Sequence, residues 1–430
     1  MNLLFKREIP VRKNVDVLVV GGGPAGVAAS VSAARNGASV YLVEAHSCLG
    51  GMGTAGLVPW WCGLSDGQNF LAGGIGAEVL GLMEKELGTD RAIHAETLKR
   101  IYDKIVEESG VRFTFHTALI GIEKEGENIS CAVCSSKSGI FAIKAKVFID
   151  CTGDGDLSAM AGAEFEKGDE YGRMMPTTLC SLWCNVEWEN REKNHELNLD
   201  KAFEDGVFTI KDRHIPGMAS PGHGLAGANI GHIFGVDATD DESLTKALIQ
   251  GRRIIPEFER YYRNYVKGYE NMTLAASGSL LGVRETRRIT GDYVLCLDDY
   301  KKQAVFDDEI GRFSYPVDIH SSSPDKDSYD KFLFEFKNFN YKNHGENYGI
   351  PYRSLIPKGL NNALVAGRCI STDRYMQGSI RVMPGCFITG QAVGMAASMA
   401  AGAAIPVRKI DVKKFQSNLK KIGAFLPNCK

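Results

Sequence analysis

The stretch VVGGGPAGVAAS, residues 19–30, constrains this chain more than any other part of it. Val15 to Val20 is a short run rich in β-branched residues, and it reads as a strand buried on both faces of a parallel sheet. It runs straight into Gly21-x-Gly23-x-x-Gly26 and then into a segment of small residues. The glycines have separate duties: Gly21 for a tight turn, Gly23 for close backbone approach to a pyrophosphate, Gly26 for contact between helix and strand. Pro24 suits a first helical turn, where its missing N–H would be unpaired anyway. Ala25, Ala28, Ala29 and Ala33 keep the helix slim, and Gly37 is a natural stop. A second strand, Ser39 to Val43, ends on Glu44, where an acid can bind an adenosine ribose. Together these predict a dinucleotide site, with the phosphates on the helix N-terminus and its unpaired N–H groups.

Composition narrows the class. The 430 residues are 44% hydrophobic and carry a formal charge of −2, which suits two or three globular domains. Near-neutral charge gives no electrostatic case for nucleic acid or an anionic membrane as partner. Glycine, at 48 residues, exceeds the usual level of roughly 7%, but it clusters in turns and forms no repeat. The N-terminal MNLLFKREIPVRKN has no apolar signal region. No uncharged apolar run long enough to span a membrane is expected. Eleven scattered cysteines point to free thiols in a reducing compartment, hence a cytoplasmic protein. Cys131 and Cys134 have no second pair to complete a zinc site, and strand alternation turns them to opposite faces; no metal site is expected.

Further along, Glu96 to Ser109 is an amphipathic helix closed by Gly110, and residues 111–146 alternate strand-like runs with turns, a small antiparallel excursion. Lys146 to Cys151 is another buried strand leading to Thr152-Gly153-Asp154. From about 160 to 350 charges and aromatics increase and no glycine fingerprint appears. Then NNALVAGR returns as a buried strand, followed by RVMPGCFITGQAVGMAASMAAGAA, a loop entering a helix too slim to lie anywhere but against a sheet or a ligand.

The segment DVLVVGGGPAGVAASVSAARNGASVYLVE resembles the N-terminus of FAD-binding flavoproteins of the glutathione-reductase and fumarate-reductase type, and ALVAGR…RVMPGCFITGQAVGMAAS resembles their closing element. With LGGMGTAG, GVRETRRITGDY and IPYRSLIPKGLNNALVAGRCIS, the chain resembles the FAD-dependent oxidoreductase family (FAD_oxidored), strongly at both ends and thinly between 185 and 270. The resemblance implies an α/β fold: a Rossmann-like FAD-binding domain split into 1–160 and 351–430 around an inserted α+β substrate or cap domain, 161–350. It implies FAD as cofactor. It places Gly21, Gly23, Pro24, Ala25 and Gly26 at the pyrophosphate, Glu44 with Ala45 at the ribose, and Gly50, Gly51 and Thr54 along the ribityl and flavin side. Ala118 or Leu119 would meet adenine through backbone. Thr152, Gly153 and Asp154 would flank the adenosine half, and Gly367 and Arg368 the pyrophosphate and ribityl chain. Gln391 and Ala392 would direct backbone N–H groups at the flavin pyrimidine ring, where a helix N-terminus stabilises the negative charge of the reduced flavin.

The same comparison implies what the chemistry is not. Gly53 and Val58 stand where disulfide reductases of this superfamily carry CxxxxC, so a dithiol relay is not expected. The SHT of fumarate reductases, whose histidine binds flavin covalently, is not matched by EAHSCLGG despite His46, so FAD is expected to be non-covalent. Candidate catalytic residues are Arg284, Arg381 and His223. Arg284, in GVRETRR, either clamps an anionic group with its planar fork or joins a salt-bridge network with Glu285. Arg381, before the closing helix, holds substrate, balances reduced flavin or is structural; Arg353 and Arg374 are weaker versions. His223 and His232 bracket GLAGANIGH and could move a proton or simply pack. Trp60 and Trp61 could wall the flavin or belong to the core; Tyr315, Asp318 and His320 form a further polar cluster. The leading expectation is an oxidoreductase moving a hydride between flavin N5 and a small organic substrate. The alternatives are a flavoprotein of a tRNA-modification-like assembly and an NAD-dependent dehydrogenase; the second leaves the C-terminal element unexplained.

Overall fold

The computed structural model describes residues 6–88 and 92–429. Strand β1 (Val11–Val20) turns through Gly21, at φ +95°, into helix α1 (Pro24–Arg35). No side chain fits at that turn: a Cβ on Gly21 would sit 2.4 Å from the Cys151 carbonyl oxygen, and one on Gly26 1.8 Å from that of Gly21. The first ten residues of α1 are all buried. Strands β2 (Val40–Val43) and β3 (Arg112–Thr114) extend the sheet parallel on one side of β1. Beyond β1 lie β4 (Thr117–Glu125), β5 (Asn128–Ser136) and β6 (Gly139–Asp150).

Strand β6 is longer than its expected Lys146–Cys151 because it serves two kinds of partner within one seven-stranded sheet. Its first half pairs antiparallel with β5, which pairs antiparallel with β4. Its second half runs parallel to β1, with Val20 opposite Asp150, and accepts the closing strand Ala363–Val365 on its other edge, with Val365 opposite Asp150. Chain regions more than two hundred residues apart in sequence thus lie side by side in the parallel sheet, the split expected of a Rossmann-like domain.

The closing helix, Met383–Ala403, lies across α1. Cβ atoms on Gly390 and Gly394 would stand 2.3 and 2.2 Å from the carbonyl oxygens of Ala25 and Ala29, so the two backbones touch where only hydrogen fits. Hydrogen bonds from Ser32 Oγ to the Gln391 carbonyl (2.7 Å) and from Ser398 Oγ to the Asn36 carbonyl (2.9 Å) join the same two helices. By length and composition this helix could cross a membrane, contrary to the expectation that no such run exists; in the fold it is a core helix, with most of its length buried.

A second hydrophobic core draws on residues from Leu179 to Leu281, with Trp183, Tyr261, Tyr262 and Tyr269 fully buried. It joins the helix Asp241–Tyr265 to an antiparallel sheet whose central strand, Ser181–Cys184, pairs with Leu225–Ala228 and Thr273–Ser277. From Ile289 onward the chain packs on the first core again, a narrower excursion than 161–350. All eleven cysteines are free thiols.

The glycine contact yields a prediction. Gly394→Ala pushes the two helices apart and is expected to cost about 1–3 kcal/mol as overpacking, read as a lower Tm. Gly402→Ala, exposed on the same helix with nothing within 4 Å of its Cβ position, is expected to hold or raise Tm, since alanine favours helix by about 1 kcal/mol over glycine.

Candidate functional site

Four of the parallel strands end at one place. Val20, Val43 and Cys151 stand at or just past the carboxyl ends of β1, β2 and β6, Ala366 follows the closing strand, and all four line a cavity of about 910 Å³. Ligands of open parallel sheets bind at such ends. The cavity continues from this sheet edge to the inserted region, reaching His214, Asn229 and Arg284.

Most residues of the expected cofactor set border this cavity. Gly21, Gly23, Pro24 and Ala25 do so from the turn, Glu44 and Ala45 from the end of β2, and Ala118 and Leu119 from β4. Gly51, Thr152, Gly153, Asp154, Gly367 and Arg368 complete it. A Cβ on Gly23 would meet nothing within 4 Å, whereas its neighbours in the fingerprint are jammed against backbone. Glu44 is buried, accepting from the Gly22 N–H at 2.6 Å and the His46 N–H at 2.8 Å, so its carboxylate fixes the turn from β2. Asp150, fully buried, does the same for the next loop, accepting from the Thr152 and Ser158 N–H groups. Its role as an organiser was not read from the sequence, where it is one more strand-terminal acid.

Some expected positions lie elsewhere. The closing helix starts at Met383, eight residues before Gln391, so Gln391 and Ala392 are buried in its interior. Gln391 bonds instead to Ile75 N and the Gly73 carbonyl. It is Val382, Met383 and Cys386, at the true helix start, that line the cavity. Thr54 is fully buried, donating to the Leu49 carbonyl at 2.6 Å, and Gly50 packs on Tyr102; both shape the loop from outside the cavity lining. Gly26 is spent on the helix–strand contact. His223 is exposed and is not among the residues that line the cavity. Trp60 lines the cavity, while Trp61 is core, packed on Phe387.

The charged knot GVRETRR separates by position. Glu285 is buried between Arg288 (2.7 Å) and Arg374 (3.3 Å) and accepts from the Met175 N–H. Thr286 Oγ1 donates to Asp154, which also pairs with Arg368 at 2.7 Å, while Arg287 pairs with Asp156. Arg284 takes no part in that network. It is 6% exposed and donates to three neutral oxygens: the Pro176 carbonyl, Thr178 Oγ1 and Asn229 Oδ1. Among the described residues no carboxylate lies within ion-pair distance of it. Burial, then the Arg381 charge, lowers its pKa to about 10, so it remains a cation at neutral pH.

Arg381 pairs with Asp318 at 2.9 Å, and its Nε has no partner among the described residues. Asp318 also accepts from Tyr315 and His320. Burial alone would raise the Asp318 pKa, but His320, Arg381 and Arg284 hold it well below the usual carboxylate range. The Cys62 thiol nearby is pushed up to about 11 by burial and the Asp318 charge, which leaves it protonated. Although no metal site is expected from the sequence, the structure also gathers His214, His232 and His320, with ligand-capable atoms all within 4.8 Å of one another. The only sequence trace of that group is Asp-x-His, occurring at both 212–214 and 318–320.

Direct comparison with curated proteins finds no match. Among solved structures the chain is similar to a geranylgeranyl bacteriochlorophyll reductase-like protein from Thermoplasma acidophilum, at 12% identity over 96% of this chain and 84% of that one, TM-score 0.48. It is also similar to p-nitrophenol 4-monooxygenase PnpA from Pseudomonas putida DLL-E4, at 13% identity over 95% and 84%, TM-score 0.43. A third is the flavin-dependent brominase Bmp2, at 12% identity over 95% and 83%, TM-score 0.45. The family model "FAD dependent oxidoreductase" matches residues 16–419, nearly the whole length. The chain belongs to the FAD dependent oxidoreductase family, and FAD is its cofactor.

Proposed function

We propose that the protein moves a hydride between FAD and a small organic anion, with Arg284 holding the anion. The observation that carries this reading is the single cavity that joins the glycine cradle to a buried arginine without a carboxylate partner. Burying an uncompensated guanidinium is costly, and a substrate carboxylate or comparable anion meeting its planar fork would repay part of that cost.

The residues present fit FAD. Gly23 leaves open the space that a pyrophosphate would fill, at the start of α1, where first-turn N–H groups have no intrahelical acceptor. Glu44 would meet the ribose, Ala118 and Leu119 the adenine, Asp154 the adenosine half, and its ion-pair partner Arg368 the pyrophosphate and ribityl chain. The first turn of the closing helix, beginning at Met383, takes the part expected of Gln391 and Ala392. When bound, FAD supplies the two-electron chemistry. The chain's own work is to orient and enclose: Arg284 fixes the anion, Arg381 is held by Asp318, and Trp60 closes one wall.

Three outcomes are expected. Flavin absorbance should move to the supernatant on acid precipitation, because nothing matches the covalent-attachment pattern; flavin in the pellet would bring His46 and the cysteines forward. Gly23→Ala should leave the apoprotein Tm unchanged, since its Cβ meets no protein atom, yet weaken FAD binding about tenfold or more, or 1.4 kcal/mol. Arg284→Gln should keep full flavin content while raising KM about 10–100-fold for any organic acid that bleaches the flavin anaerobically, the worth of a charge-assisted hydrogen bond. Neutral compounds bleaching as well as acids, with Arg284→Gln unaffected, would sink the anion reading.

A further inference from the structure

Three imidazoles meet in the second half of the cavity from three separate stretches: His214 on a loop, His232 on the short strand His232–Ile233, and His320 beyond Asp318. His214 and His320 line the cavity; His232 stands just behind them, 4% exposed. His232 Nε2 and His320 Nδ1 face each other at 2.9 Å. Their outer nitrogens are both engaged: His232 Nδ1 lies 2.9 Å from Asp212 Oδ2, and His320 Nε2 3.1 Å from Asp318 Oδ2.

The hydrogen count at this pair is restrictive. An ionised carboxylate only accepts, so each outer nitrogen carries its ring's proton. Both inner nitrogens then present lone pairs to each other across 2.9 Å. That arrangement is repulsive unless an electrophile lies between them: one shared proton, or a cation. The third ring favours the cation. His214 stacks on His232 with centroids 4.9 Å apart and meets His320 edge-on at 4.6 Å, bringing a third ring nitrogen within reach. A shared proton has no use for a third ligand. Phe332 packs against both His214 and His320, giving the group an apolar side.

We propose that His214, His232 and His320 form a site for a divalent first-row transition ion, with coordination positions left open to the cavity. The arrangement has the form of carboxylate–histidine–metal triads, in which each outer N–H donates to a carboxylate and so aims the inner lone pair. Asp212 and Asp318 are the positioning residues. Tetrahedral metal–imidazole bonds of 2.0–2.1 Å place ligand nitrogens about 3.4 Å apart, between the 2.9 Å of the His232–His320 pair and the 4.8 Å limit of the trio, so small side-chain shifts complete the set. Three neutral imidazoles suit Zn²⁺ or Fe²⁺ rather than Mg²⁺ or Ca²⁺. Asp318 is paired with Arg381 and Asp212 with His232, so the ion's own charge is free to attract water or an anionic oxygen at its open position. This site stands on the histidine geometry and does not depend on which molecule the flavin oxidises or reduces.

The test uses the FAD-loaded full chain, freed of metal by chelator and titrated with Zn²⁺ by calorimetry, with metal content measured in parallel. The expected result is one Zn²⁺ per chain. His232→Ala and His214→Ala should each abolish stoichiometric binding, and Asp212→Asn should weaken it about 10–100-fold, all with unchanged flavin absorbance. Should His232→Ala fail to fold, His214→Ala still decides the matter, because that ring is half-buried and leaves the His232–His320 pair intact. No uptake of Zn²⁺, Fe²⁺ or Co²⁺ by the wild-type chain, or uptake indifferent to His214→Ala, would overturn the site and leave the pair as a shared-proton bridge.

Discussion

Backbone contact between α1 and the closing helix is the constraint on which the site depends. Gly390 and Gly394 rest on the Ala25 and Ala29 carbonyls, and no larger residue fits there. That contact holds the start of the closing helix over the cavity mouth, and the closing strand beside β6 brings Gly367 and Arg368 to the same opening. Small residues in both helices are therefore a single fact seen twice. Each helix is slim so that the other can approach, and together they replace side-chain packing with direct backbone proximity. The apolar length of the closing helix follows too: it is enclosed on nearly every side by protein.

Charge is arranged around the cavity with the same economy. Glu285 sits between two arginines, Asp154 answers Arg368 and Thr286, and Asp318 answers Arg381, Tyr315 and His320. Each buried acid has several donors, as a buried charge requires. Arg284 departs from that pattern, since its donors end on neutral oxygens. Where Glu285, Arg287 and Arg288 of GVRETRR are all in ion pairs, the exception marks where a ligand's charge belongs.

How much of this was legible depended on how local each feature is. The β1–turn–α1 unit could be read because its signals lie within a few residues and each glycine answers a steric need met nearby. The start of the closing helix was misplaced because Val382 provides no side-chain cap and the run after it has no polar face to mark a boundary; only Pro384, at the first turn, signalled it. The histidine group was invisible because residues 214, 232 and 320 share no spacing, and His223, just before the glycine-rich GLAGANIGH, drew attention for its neighbours rather than its place. Likewise GVRETRR showed five charged or polar residues in a row but not which of them would turn inward.

By itself, the sequence determined the class of the protein. It specified an FAD-binding α/β unit opened by one glycine fingerprint and closed by a helix of small residues, because backbone turns and close approaches demand particular residues at fixed short spacings. The tertiary structure alone decided what faces the cavity. Strand β6 had to leave the edge it shares with β5 free along its second half for the closing strand to pair there. The inserted region had to fold back before Arg284 and three distant histidines could share a wall with the glycine turn. Charge pairing and ligand geometry are matters of distances between chain segments, and those distances exist only once the segments are packed.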